Sequence, residues 1–309
     1  MNRIRQVVVL FIVLLAGPAA GRGGVVARDV TRPDGEADYL VVAPAASVEV
    51  LKPLTDLRTR QGRVVKLLPV EKIYRGFGDG TPSAEALNRC LVAWRDAPGR
   101  KRPVGFVLLV GLPGSRTFAL PTKIVEARFS RGTWGYPVSK YLASDLALVG
   151  PSKRNRPVPA VGRLPADTRA ELSTMVSKTV DYETNARPGP WRRHVELAAG
   201  QGHYGPALDG MLENISKLMM REVVPSHVDV TVSYAKVDSP YGYLPSHFSR
   251  RLVEAVSRGP ALSVYVGHGR ETGFDSLHWQ GKSYRLLGIE DVEKLDVPHS
   301  RGVMVALAC

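Results

Sequence analysis

The chain has 309 residues, of which 44% are hydrophobic, with 30 Gly, 23 Pro and a formal charge of +13. That length excludes a small stapled scaffold and suits one large domain or two moderate ones; the ordinary composition excludes a disordered or low-complexity chain. Cys90 and Cys309 are the two cysteines, too few for a disulfide framework and enough for one bridge.

Residues 1–21 have the layout of a secretory signal peptide: Arg3 and Arg5, then an apolar run from Val7 to Ala16, then small residues to Gly21. The expected location is secreted, periplasmic or cell-surface. Nothing downstream approaches the roughly 20 apolar residues of a spanning helix, so the mature chain is expected to have no membrane span. The basic residues are dispersed. Their short groups at 98–102 and 153–156 have no interleaved aromatics, so the basic surface is read as solvated and no nucleic-acid partner is expected.

After a polar segment at 22–37, ADYLVVAP predicts a buried strand, Ser47–Gln61 a helix and RVVKLLPV a strand. IYRGFGDGTPS reads as a loop, Ala84–Asp96 as a helix capped by Ser83 with Cys90 as a buried thiol, and VGFVLLVG as a strand. From Leu112 to Pro159 regularity fades into a loop system or a few short strands. A helix is predicted from about Thr168 to Glu183, and the Pro- and Gly-containing NARPGPWRR marks a boundary. The predicted subdomains are therefore 38–187 and 188–309. In the second, HVELAAG, VDVTVSYAKV, ALSVYVG and GVMVALAC predict strands. PALDGMLENISKLMMREV and SRRLVEAVSRG predict helices, with a helical turn at IEDVEKL. Strands alternating with helices imply parallel sheets covered on both faces, an α/β fold.

Three constellations carry chemistry. Gly200 to Gly205 satisfies G-x-G-x-x-G between a strand and a helix, either a pyrophosphate turn or simply a tight connection. His268, Glu271, Asp275 and His278 are spaced as metal ligands on one helix face, but Gly267, Gly269 and Gly273 oppose a helix there. Thirdly, His268 follows one strand and Cys309 another. At the carboxyl ends of parallel strands a thiol and an imidazole could meet as nucleophile and base, with the N–H groups of Gly269 and Cys309 facing an oxyanion. Spacing alone leaves open whether they are a dyad or a core cysteine and an unrelated loop histidine.

At these residues the chain resembles the gingipain-type cysteine peptidases, family C25 of the caspase-like clan. The VGHG box with His268 and the terminal AC with Cys309 carry the resemblance. So do YLVVAP, PLTDLRTRQGRVVKL, IYRGFGDG, FVLLVG, Ser144-Asp145, VGRLPADTRAEL and KTVDYE, from about Asp38 to Cys309. The resemblance implies a caspase-like fold of two subdomains with mostly parallel sheets. It also implies an endopeptidase acting on protein or peptide substrates, with Cys309 as nucleophile, His268 as acid/base, Gly269 in the oxyanion hole, and no metal or organic cofactor. A carboxylate orienting His268 is expected, with Glu271 and Asp145 as candidates. Family members continue past the cysteine through a further strand and helix, so a chain ending at Cys309 is expected to be a fragment, and the resemblance does not imply that the fragment is active by itself. The competing readings are a non-catalytic secreted module of the same fold and, third, a metal-dependent hydrolase. No P1 preference or oligomeric state is implied.

Overall fold

The computed structural model describes residues 33, 35–126, 141–151, 158–202, 225–297 and 302–308. The chain divides into two compact units, one up to Val180 and one from Asp181 onward.

In the first unit, β1 (Tyr39–Ala43), β2 (Val65–Pro69), β3 (Phe106–Val110) and β6 (Ala160–Leu164) form a parallel sheet in the order β2-β1-β3-β6. The central strands are continuous apolar runs because both their faces are buried. Val41, Ala43, Leu108 and Val110 pack on α1 (Val48–Arg60) and α4 (Arg169–Asn185) through Leu51, Leu54, Leu172 and Val176. On the opposite face, Leu40, Val42 and Leu109 pack on α2 (Val70–Phe77) and α3 (Ala84–Asp96) through Ile73, Leu87, Leu91 and Trp94. The Ser83 hydroxyl caps α3 by accepting from the Ala86 N–H at 3.2 Å, as its position predicts.

Two segments differ from expectation. The IYRGF stretch belongs to α2, which begins directly after β2; Val70, Ile73, Tyr74 and Phe77 stand at helical spacing on the packed face. Their periodicity, rather than the glycines that follow, decides the local structure. The irregular stretch after Leu112 contains an antiparallel ribbon of β4 (Lys123–Glu126) and β5 (Tyr141–Ser144).

The second unit builds a parallel sheet from β7 (His194–Ala199), β8 (Asp229–Tyr234), β9 (Leu262–Val266) and β14 (Val303–Leu307), in the order β14-β9-β7-β8. In chain order its strands have the same placement as those of the first unit: the first strand is central, the second lies on one side, and the third and fourth follow on the other. Helix α5 (Pro245–Ser257) packs Phe248 and Leu252 with Ala198 and Tyr265 of the sheet. Between β9 and β14 lie two small hairpins, β10 (Gly269–Arg270) with β11 (Gly273–Phe274), and β12 (Ser276–Trp279) with β13 (Lys282–Arg285). The segment between ALSVYVG and IEDVEKL, to which the sequence assigned no regular element, is therefore largely β-structure, and the IEDVEKL turn is a 3-10 helix over Ile289–Lys294. The helix predicted over PALDGMLENISKLMMREV lies wholly outside the described residues.

Candidate active site at the switch point of the second sheet

In an open parallel sheet the connections leave in opposite directions from two neighbouring strands, and the crevice between their carboxyl ends is where ligands sit. In the second unit those strands are β7 and β9. The residues that follow them are Gly200-Gln201-Gly202 and Gly267-His268.

These two turns lock together. The Gly200 N–H donates to the Val266 carbonyl at 2.9 Å. A Cβ on Gly200 would meet the Tyr265 hydroxyl at 3.0 Å and the Gly267 Cα at 3.4 Å, so glycine here is a packing requirement. Gly202 adopts φ +86°, a left-handed conformation that glycine reaches without strain, and its carbonyl oxygen lies 2.9 Å from His268 Nε2. A carbonyl oxygen can only accept, so Nε2 carries a proton, and whenever the ring is neutral Nδ1 is its proton-accepting nitrogen. The first two glycines of the G-x-G-x-x-G pattern thus serve the histidine loop; His203 to Gly205 lie outside the described residues.

Tyr265 fixes the main chain of the same loop. Its hydroxyl donates to the His268 carbonyl at 2.9 Å and accepts from the Asp275 N–H at 3.3 Å, and its ring stacks on Phe274 at 3.7 Å between centroids. The Gly267 N–H donates to the Leu307 carbonyl of β14 at 3.2 Å. Beside the histidine opens a cleft of about 540 Å³ lined by Gly269, Arg270, Glu271, Gly273, Phe274 and Ala308, a size that accepts a side chain or a short peptide segment.

The remaining candidate residues have defined surroundings, Cys309 excepted. Cys309 lies outside the described residues. Glu271 stands in the β10–β11 turn on the wall of the cleft. Asp145 belongs to the first unit, where Arg163 donates to both of its oxygens at 2.7 Å and the Thr122 hydroxyl donates at 2.8 Å. Burial alone would raise its carboxyl, but the Arg163 and Thr122 hydrogen bonds and the guanidinium charge hold it below the usual carboxylate range. Asp275 accepts from the Ser276 N–H at 2.8 Å and faces Arg270 at 3.7 Å, whereas the His278 main chain is bound by Gln201. The spaced His/Glu/Asp/His set therefore runs through two hairpins, and among the described residues no three His, Cys, Asp or Glu side chains gather as a metal site. Cys90 is a free thiol buried in the core of the first unit, and burial pushes it up to about 12. Gln201 and Tyr265 carried no motif; the pattern of Gly200 and Gly202 was the visible signal for the first, and none marked the second.

The model of peptidase family C25 matches residues 32–309. The chain belongs to peptidase family C25. Gingipain R2 of Porphyromonas gingivalis is 24% identical to this family member over 119 residues, which cover 38% of this chain and 15% of gingipain R2. Gingipain R1 of the same organism is also 24% identical over 119 residues, covering 38% and 11%. Among solved structures, the Arg-specific cysteine proteinase gingipain R superposes with a TM-score of 0.61 at 17% identity, over 90% of this chain and 56% of that one. The complex of Porphyromonas gingivalis RgpB pro- and mature domains gives 0.59 at 18%, over 88% and 55%. The C25 chain thus spans a small part of the curated relatives and just over half of the solved ones. These likenesses establish its α/β, caspase-like fold. Among the described residues no helix is long and apolar enough to cross a membrane.

Proposed function

We propose that this C25 family member is an exported cysteine endopeptidase whose dyad is Cys309 and His268. One observation carries the reading. Strands β9 and β14 run parallel with Val266 opposite Leu307, His268 is two residues past the first, and Cys309 is two residues past the second. Adjacent strands lie about 4.8 Å apart, so a continuation of this register past Val266 and Leu307 would bring the two side chains to the same carboxyl edge of the sheet.

The chemistry then follows from the histidine's fixed tautomer. With Nε2–H held by Gly202, Nδ1 takes the thiol proton. The Cys309 thiolate attacks the scissile carbonyl carbon, and the N–H groups of Gly269 and Cys309 receive the oxyanion. His268 returns the proton to the leaving amine, and water then hydrolyses the thioester. The Gly202 carbonyl, accepting from Nε2, orients the imidazole, and Glu271 on the cleft wall is the carboxylate candidate in the same unit. The substrate is a protein or peptide, which the neighbouring cleft receives. Export rests on the basic and apolar layout of residues 1–21.

The test is cleavage of a peptide library by the chain and by its Cys309→Ser and His268→Ala forms. Cleavage present in the parent and lost in both variants supports the assignment. Cleavage that survives Cys309→Ser refutes it.

A further inference from the structure

Gln201 has no part in the reaction, yet both ends of its side-chain amide are hydrogen-bonded to one residue. Its Oε1 accepts from the His278 N–H at 2.7 Å and its Nε2 donates to the His278 carbonyl at 2.9 Å. Gln201 therefore binds strand β12 as a neighbouring strand would, through one donor and one acceptor on the same residue. A primary amide is the side chain that supplies both in one plane, and the fixed polarity of the main chain determines which end is oxygen.

Its neighbours make the arrangement directional. Gly200 is tied to β9 through the Val266 carbonyl, Gln201 to β12 through His278, and Gly202 presents its carbonyl to His268 Nε2 at 2.9 Å. A three-residue turn anchored on two strands leaves its last carbonyl little freedom. That carbonyl accepts from the imidazole and so favours the tautomer with the proton on Nε2.

We infer that Gln201 is a positioning residue for His268, acting through the Gly202 carbonyl to hold the Nε2–H tautomer and keep Nδ1 as the proton acceptor. The inference rests on the reading of His268 as the general base, but the tautomer is measurable without catalysis. Gln201 touches neither thiol nor substrate. Loss of its amide frees the turn, and a misplacement of about 1 Å in such a support costs up to roughly a hundredfold in rate. Substitution by Glu keeps an acceptor for the His278 N–H but sets an oxygen against the His278 carbonyl, so its effect falls between wild type and Leu.

The experiment records nitrogen-15 shifts of the His268 ring in the full chain, with Gln201→Leu and Gln201→Glu beside the parent. In parallel, a thiol-directed peptide reagent reads the reactivity of Cys309. The parent is expected to show a pyrrole-like Nε2 and a pyridine-like Nδ1. In Gln201→Leu both shifts move toward the averaged values of a free imidazole, labelling falls about tenfold to a hundredfold, and Gln201→Glu lies between. A parent-like tautomer in a folded Gln201→Leu overturns the inference; should that variant not fold, a parent-like tautomer in Gln201→Glu overturns it equally. If the tautomer shifts as expected while His268→Ala leaves labelling unchanged, the positioning role stands and the dyad reading fails.

Discussion

Gly200 and Gly267 meet Cα to Cα beside the Tyr265 hydroxyl: a Cβ built on Gly267 would lie 3.1 Å from the Gly200 Cα and 2.5 Å from Tyr265 Oη. No side chain fits there without moving the tyrosine or the opposite turn. Gly267→Ala is expected to destabilise the second unit by about 1–3 kcal/mol through overpacking. Gly200→Ala, whose nearest contacts would be 3.0 and 3.4 Å, is expected to cost less. Urea midpoints at constant slope measure both, and equal midpoints for the two variants would refute the ranking.

Tyr265→Phe keeps the stack on Phe274 and removes the hydroxyl that serves the His268 carbonyl and the Asp275 N–H. Leaving a buried N–H and a partly buried carbonyl without their partner costs about 1–3 kcal/mol. The expected outcome is a lower urea midpoint together with slower thiol labelling, because the released carbonyl belongs to the histidine itself. Unchanged labelling would limit Tyr265 to a packing role.

In the first unit, Asp145 predicts an acid limb of stability. Burial works against its charge, but the Arg163 and Thr122 contacts prevail and its folded carboxyl titrates below the ordinary range. A lowered folded value means that the unfolded chain binds the proton more readily. The contribution is present above about pH 4, the ordinary aspartate value, and is lost as pH falls through the folded value. The urea midpoint of the parent should therefore exceed that of Asp145→Asn near neutrality and converge with it in acid. A gap that persists in acid would show that the carboxylate charge is not what Arg163 holds.

Cys90 is expected to behave in the opposite way to Cys309. It is completely buried in the first core, and its proton is held up to about 12. A thiol reagent should modify it only on unfolding, as peptide mapping after denaturation would show. Because the unfolded thiol ionises near 8.5, stability should also decline as pH rises from there toward the folded value, a decline that Cys90→Ala lessens. Rapid labelling of native Cys90 would contradict its burial.

Much of the scaffold was legible in one dimension. YLVVA and FVLLV are apolar on every position because both faces of β1 and β3 are covered, and the Ser83 cap stands where the next helix begins. Helix α2 was hidden because the Gly- and Asp-rich turn after Phe77 masks the periodicity before it. The two hairpins after His268 were hidden because strands of two to four residues are too short for an alternation to register. At the site, the glycines around His268 spoke against a helix, and that feature is local. The pairing of Gly200 with Gly267, the carbonyl of Gly202 on the imidazole and the grip of Gln201 on His278 join residues more than sixty positions apart. No periodicity carries such contacts; they exist only once β7 and β9 are neighbours.

The most direct measurement is the rate at which a thiol-directed peptide reagent modifies Cys309 in the full chain, compared with His268→Ala over a range of pH. The account predicts fast labelling near neutrality in the parent, and in the variant slow labelling that rises only as an ordinary thiol ionises near pH 8.5. Superimposable pH profiles for the two proteins would contradict it, since His268 would then have no hold on the Cys309 proton.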